Sequence, residues 1–268
     1  SGQACAASSM GVDDAEESCT KSHLVPGTSA QPFAFRWVKA SRRKGFQMTE
    51  NIMIIGGHGK VALRAEPLLA DAGHHVTAMI RNPQQQEDVK AAGATPLVLD
   101  IEHATREQLV DAFTGMDAIV WSAGAGGGTT PERTYAVDRD AAILSMQAAA
   151  EAGVKRYVMV SYDRAKLDHG VPEDDSFFAY AEAKAHADEH LRTSDLDWTI
   201  LGPGTLTLDD PSGRITLRKE GEEVTGDRRT ARGNVARAIV AALELDSTIG
   251  RKLDFADGET PIREAFSA

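Results

Sequence analysis

Tyr180-Ala-Glu-Ala-Lys184 sets a phenol and an ammonium four residues apart. On a helix, residues i and i+4 share one face, so the cation stands beside the phenol and favours the phenolate. A tyrosine whose pKa is lowered from its usual value of about 10 becomes a usable acid or base near neutral pH. Ser161, which follows the apolar run Arg156–Val160, supplies a hydroxyl suited to polarising a substrate carbonyl. Tyr180 is thus the candidate proton donor, Lys184 its pKa modulator and Ser161 the orienting group. A competing pattern overlaps them: His186-Ala-Asp-Glu-His190 fits H-x-x-E-H, whose two histidines are spaced to hold zinc. Its Ala- and Glu-rich surroundings read instead as a solvated helix face, and no metal is expected.

The second chemical signal lies 120 residues upstream, roughly one sheet crossover series earlier. Asn51-Ile-Met-Ile-Ile55 is an apolar run that stops at glycines, as a buried parallel strand does at a ligand edge. Gly57-x-Gly59-x-x-Ala62 fits the dinucleotide fingerprint G-x-G-x-x-G/A, and Gly56-x-x-Gly59-x-x-Ala62 fits its longer variant. Either register lays bare backbone against a pyrophosphate at the positive end of a helix starting near Gly59. His58, Lys60 and Val61 fill the turn, and Lys60 with Arg64 adds positive potential. In an NAD site the second strand usually ends in Asp or Glu, which would repel a 2′-phosphate. No acid occurs between His74 and Gln86, and Arg81 follows the strand, which favours NADP over NAD. Asp100, ending the third strand, is placed either to accept from the adenine amino group or to cap the next helix.

These groups need a scaffold, and the hydrophobic pattern predicts one. Strands are expected at Asn51–Ile55, His75–Ile80, Thr95–Leu99, Asp117–Ser122, Arg156–Val160 and Trp198–Leu201. Between them helices are expected from the glycine turn to Ala72, over Gln84–Ala92 and Arg106–Phe113, from Pro131 to Ala152, and from near Ser176. A hairpin around Ile215–Glu223, a helix Asn234–Glu244 and a strand near Lys252–Phe255 complete the chain. Strand and helix alternating with short connections specify right-handed crossovers and a doubly wound, Rossmann-like parallel sheet with helices on both faces. Ligands of such sheets sit at the carboxyl ends of the strands, where every glycine-rich or polar feature above falls.

The 268 residues suit one α/β domain, residues 48–268, with 202–268 on the substrate side; 42% hydrophobic content supports a sizeable core. Residues 1–47 are small, polar and aperiodic before turning basic and aromatic, and read either as a targeting or partner-binding arm or, the favoured reading, as a leader ahead of a natural start at Met48. That leader holds four acids against six bases, +2, so the formal charge of −11 leaves −13 on residues 48–268. Nucleic acid and anionic membranes are disfavoured as partners. Cys5 and Cys19 both lie in the leader, so the domain has neither a disulfide framework nor a cysteine nucleophile, as suits a cytoplasmic protein.

From about Thr49 the chain resembles the atypical branch of the short-chain dehydrogenase/reductase superfamily, the single-domain NAD(P)H-binding proteins related to NmrA-like and biliverdin reductase B-like proteins. The residues that carry the likeness are Gly56–Ala62, Arg81, Asp100, Ala123-Gly124, Ala152–Ser161, Tyr180-x-x-x-Lys184 and Leu201-Gly-Pro-Gly204. The resemblance implies that Ser161, Tyr180 and Lys184 serve hydride transfer, with Lys184 also reaching the nicotinamide ribose. It extends the cofactor surface to Ile101, Ala123, Gly124 and Pro203. The chain departs from the family pattern at Ala62, in the 19 residues from Ser161 to Tyr180, and at Gly202, where relatives often carry Arg.

The expected function is an NADPH-dependent reductase of a small carbonyl, quinone or flavin-like acceptor, acting as a monomer or homodimer. The alternatives are a non-catalytic NADP(H)-sensing regulator and a nucleotide-sugar epimerase or dehydratase, the last ranked lower because residues 202–268 are short for a sugar-nucleotide domain.

Overall fold

The computed structural model describes residues 49–218 and 227–268. The leader, Met48 and the second arm of the expected hairpin fall outside the described residues. Six strands and their helices alternate as the pattern predicts: β1 (Asn51–Ile55), α1 (Ala62–Asp71), β2 (His75–Ile80), α2 (Gln86–Ala91), β3 (Thr95–Val98), α3 (Arg106–Phe113) and β4 (Ala118–Trp121). A long helical stretch follows, α4 (Pro131–Thr134) and α5 (Ala142–Glu151) joined through a π-helical segment, Tyr135–Ala141. Then come β5 (Arg156–Val160), α6 (Phe178–Arg192), β6 (Asp197–Pro203) and the short β7 (Thr205–Thr207). The remainder is β8 (Arg214–Leu217), β9 (Arg229–Ala231), α7 (Arg232–Glu244), β10 (Arg251–Asp257), β11 (Thr260–Pro261) and α8 (Ile262–Ser267).

The nine-stranded sheet runs β11-β8-β10-β6-β5-β4-β1-β2-β3. Strands β3 through β10 are parallel; β8 runs antiparallel to both β10 and β11. Chain order reverses between β1 and β4, and the crevice beyond their carboxyl ends is where a doubly wound sheet receives its ligand. Among the described residues β8 pairs with β10 and β11, strands later in the chain. Residues 202–268 thus add β8, β10 and β11 to the sheet edge, with α7 and α8 beside them.

Alternation along β1 decides the core. Ile52 and Ile54 join the cluster under α1 and α7, with Leu69, Val235 and Ile239. Met53 and Ile55 join the cluster on the other face, with Leu109, Phe113, Ile119, Trp121 and Met146. A period of two with both faces apolar is the signature of a strand covered on both sides, and it fixes the height at which the chain emerges into the glycine turn. No helix among the described residues is long and apolar enough to cross a membrane.

Candidate functional site

The glycine turn sits over the switch point. Gly56 adopts φ +83°, and a Cβ there would lie 2.7 Å from the Cα of Ala123 in the turn after β4; at Gly57 it would lie 2.5 Å from the Cβ of Ala78 on β2. Neither contact is tolerable, so glycine is required at both by close approach of the backbone. The N–H groups of Gly56 and Gly57 both donate to the Met79 carbonyl, at 3.1 and 2.9 Å. Gly59 O accepts from Leu63 N at 2.9 Å and opens the helical ladder of α1. Among the described residues the N–H groups of Lys60 and Val61 have no acceptor, which leaves them for an anion at the helix entrance.

On one side of the turn lies a cavity of about 210 Å³ lined by Gly56, His58, Gly59, Arg81, Asp100, Ile101, Ala123 and Gly124. Arg81 makes no ion pair among the described residues. His58 is tied by Nε2 to Asp88 at 2.7 Å, so it buttresses α2 as well as lining the turn. Asp100 caps its own turn, accepting from Glu102 N at 3.1 Å and meeting His103 Nδ1 at 3.0 Å. Burial raises the Asp100 pKa, but these bonds and the charges of His103 and Arg81 outweigh it and hold the carboxyl below its usual range. Asp100 does not cap the next helix as one of its two readings has it: the N-cap of α3 is Thr105, in a capping box with Gln108, and Asp100 bonds within residues 100–103.

On the other side a larger cavity of about 740 Å³ is lined by Lys60, Val61, Asp138, Ser161, Phe177, Tyr180, Lys184, Leu206 and Arg232. It shares Gly59, Ser122, Ala123 and Gly124 with the first, so the two form one cleft that crosses the glycine turn. Gly57 and Pro203 stand behind this surface: Gly57 against Ala78, and Pro203 buried at the end of β6 with its carbonyl accepting from Asp163 N at 2.9 Å.

Ser161, Tyr180 and Lys184 thus meet in one cavity despite the long gap in sequence. An aromatic cluster closes that gap. The Tyr162 ring lies 5.5 Å from Tyr180 and 5.4 Å from Phe177, and Phe177 lies 5.3 Å from Tyr180. Such offsets favour aromatic pairs. The residue next to Ser161 therefore packs directly on the tyrosine of the i, i+4 pair.

The electrostatics differ from the expectation. Lys184 is buried and donates through Nζ to the Val160 carbonyl at 2.9 Å. Burial, and then the charges of Asp138 and Asp188 and the neighbouring Tyr162, push the Tyr180 phenol upward rather than toward phenolate. Desolvation of a phenolate beside two acids outweighs one ammonium committed to a backbone carbonyl. The phenol is held protonated, the form a proton donor needs.

Four residues escaped the sequence reading. Asp138, on the π-helical segment, is buried and accepts from Ala125 N at 2.9 Å; burial raises its pKa against the opposing charge of Lys184. Asp188 sits one turn past Lys184, accepts from Ser161 Oγ at 2.7 Å and faces Lys252 Nζ at 3.5 Å. Lys252 comes from β10, whose Asp254 pairs in register with Gly202. A Cβ at Gly202 would collide with the Asp254 carboxylate, so glycine here makes room for this acidic strand. The spacing Lys184-x-x-x-Asp188 was readable, but H-x-x-E-H drew attention to the opposite face. There His186 pairs with Glu182 at 3.3 Å.

Comparison with known proteins agrees with the geometry. Residues 56–246 match the family model described as NAD(P)H-binding. A Bacillus subtilis protein named uncharacterized sugar epimerase YhfK is 34% identical over 216 residues, covering 80% of this chain and 98% of its own. A Bacillus halodurans structure whose name cites an NAD-dependent epimerase/dehydratase superposes with TM-score 0.74 at 32% identity, over 81% of this chain and 99% of that one. The fold is shared at 19% identity and TM-score 0.63 with a Veillonella parvula short-chain dehydrogenase/reductase in complex with NADP, over 81% of this chain and 99% of that one. With cleft and comparisons in accord, the chain belongs to the NAD(P)H-binding family.

Proposed function

We propose that this protein is an NADPH-dependent reductase of a small carbonyl, quinone or flavin-like acceptor. One observation carries the reading: Ser161, Tyr180 and Lys184 line a cavity continuous with the glycine turn and with Arg81. The cleft fits a dinucleotide, because bare glycine backbone and unpaired amides lie where a pyrophosphate would rest and Arg81 offers a planar donor for a 2′-phosphate. Bound there, the nicotinamide would supply hydride. The chain supplies the proton, since Tyr180 is held protonated and releases it only to an oxygen gaining charge in the transition state. Lys184, one turn away, donates to the Val160 carbonyl and keeps further N–H donors that would bind the ribose hydroxyls of the nicotinamide nucleotide. Ser161 donates its single proton to Asp188, so it orients a carbonyl acceptor only when its hydroxyl turns from that acid toward the cavity.

That inward bond also favours a second reading, a regulator that binds NADP(H) without turnover. The epimerase reading is weaker, because residues 202–268 divide among short strands, α7 and α8 and leave little chain for a sugar-nucleotide domain. NADPH consumption over a panel of carbonyl, quinone and flavin acceptors decides between reductase and regulator. A reductase consumes NADPH with at least one class and loses that turnover in Tyr180→Phe; a regulator consumes none in either form. The reading takes in a small-molecule substrate, a cytoplasmic location and a monomer or homodimer, and the formal charge of −11 disfavours nucleic acid as a partner.

A further inference from the structure

The substrate half of the cleft is lined by groups of two kinds. Phe177, 42% exposed, presents an open aromatic edge at the end of the Tyr162–Tyr180 cluster. Opposite in chemistry stands Arg232, the first residue of α7 and half-buried in the cavity lining. Its Nη1 donates to the Leu206 carbonyl at 3.2 Å, and among the described residues no carboxylate lies within ion-pairing distance of it. A guanidinium has five donors in a rigid fork, so one bond to a carbonyl fixes its direction and leaves others for a ligand. Among the described residues this half-buried guanidinium therefore keeps donors that no acid of the chain occupies. Asp138, the acid in the same lining, is occupied by Ala125 N and has its charged form disfavoured by burial. Lys60 and Lys184 carry cations on the cofactor side of the same space.

We propose that the acceptor is a flat aromatic or quinonoid carboxylate, its ring against Phe177 and Tyr180 and its anionic group on Arg232. This rests on the reductase reading for the word acceptor, but the anion site itself does not. Bidentate guanidinium–carboxylate pairing is the geometry that an oriented arginine fork recognises best, and aromatic edges supply the apolar contact for the ring.

The test uses 2-naphthoate and its neutral isostere 2-naphthamide, titrated calorimetrically into the NADP-loaded protein, in the wild type, Arg232→Met and Arg232→Lys. The expected result is naphthoate binding at least about tenfold tighter than naphthamide, a preference lost in Arg232→Met and partly kept in Arg232→Lys. NADPH affinity should change by less than about twofold in each variant, which also shows that they fold. Equal affinities in the wild type, no naphthoate binding, a preference that survives in Arg232→Met, or a matching loss of NADPH affinity would each overturn the proposal. Turnover separates it from the reading beneath it. Charge discrimination without NADPH consumption sinks the reductase and leaves the anion site; consumption confined to neutral acceptors sinks the anion site and leaves the reductase.

Discussion

Ser161 Oγ lies 2.7 Å from Asp188 Oδ2, and both residues are buried. The bond ties the end of β5 to α6 one turn beyond Lys184. Because Lys252 Nζ stands 3.5 Å from the same carboxylate oxygen, the site is held by a buried charge pair reaching in from β10. Asp188 Oδ1 has no hydrogen-bond partner, so the ammonium and the serine carry the whole task of satisfying this acid.

Removing that acid should therefore cost more than a surface ion pair would. Asp188→Ala leaves Lys252 with only the Ala165 carbonyl and the more distant Asp254 and removes the acceptor of Ser161, so it is expected to destabilise by about 2 kcal/mol, whereas Asp188→Asn, which keeps the Ser161 bond, should cost less. Urea unfolding of both variants checks this; equal and negligible losses would mean the pair is screened.

Tyr180→Phe deletes the donor and leaves the ring stack with Tyr162 and Phe177. Turnover is expected to fall by about 10² or more with NADPH affinity unchanged, as for loss of a general acid. Stopped-flow NADPH oxidation paired with cofactor titration reads both quantities. Unchanged turnover would move the proton source elsewhere.

Glu66, on the buried face of α1, has neither carboxylate oxygen bonded among the described residues. Burial pushes its pKa up from an ordinary 4.5 to about 8. In the folded state the proton is retained while the unfolded chain releases it, so stability falls as pH rises from about 4.5 to about 8 and is flat beyond. Glu66→Met should remove that dependence and gain roughly 2 kcal/mol at pH 8. Denaturation midpoints at pH 5 and pH 8 for both proteins measure it, and parallel pH profiles would refute it.

Gly57→Ala pushes a methyl into Ala78, and a backbone shift there displaces the amides aimed at the cleft. A stability loss of about 1–3 kcal/mol together with weaker cofactor binding is expected. Thermal unfolding with and without NADPH separates the two effects.

The scaffold was legible because its signals are local. Apolar runs of the β1 type stop at glycines, and the i, i+4 spacing of Tyr180 and Lys184 survives as one face of α6. What could not be read depends on distant packing. Nothing near Gly202 announces that Asp254 needs its space, or that Lys252 on β10 would balance Asp188. The direction of the Tyr180 pKa was misjudged for the same reason: sequence places Lys184 beside it, whereas the burial that dominates comes from tertiary packing, and Asp138 approaches from a π-helical turn 42 residues earlier. Arg81 was visible as the residue after a strand without a terminal acid, and it lines the cavity.

Everything functional above depends on a phosphorylated nicotinamide dinucleotide lying across Gly56–Val61 with its 2′-phosphate toward Arg81. Calorimetric titration of NADPH and NADH into the wild type and Arg81→Ala measures this directly. The expected result is NADPH binding at least about tenfold tighter than NADH, a preference that collapses in Arg81→Ala while NADH affinity stays the same. No binding of either coenzyme to folded protein at millimolar concentration, or a preference untouched by the loss of Arg81, would contradict it.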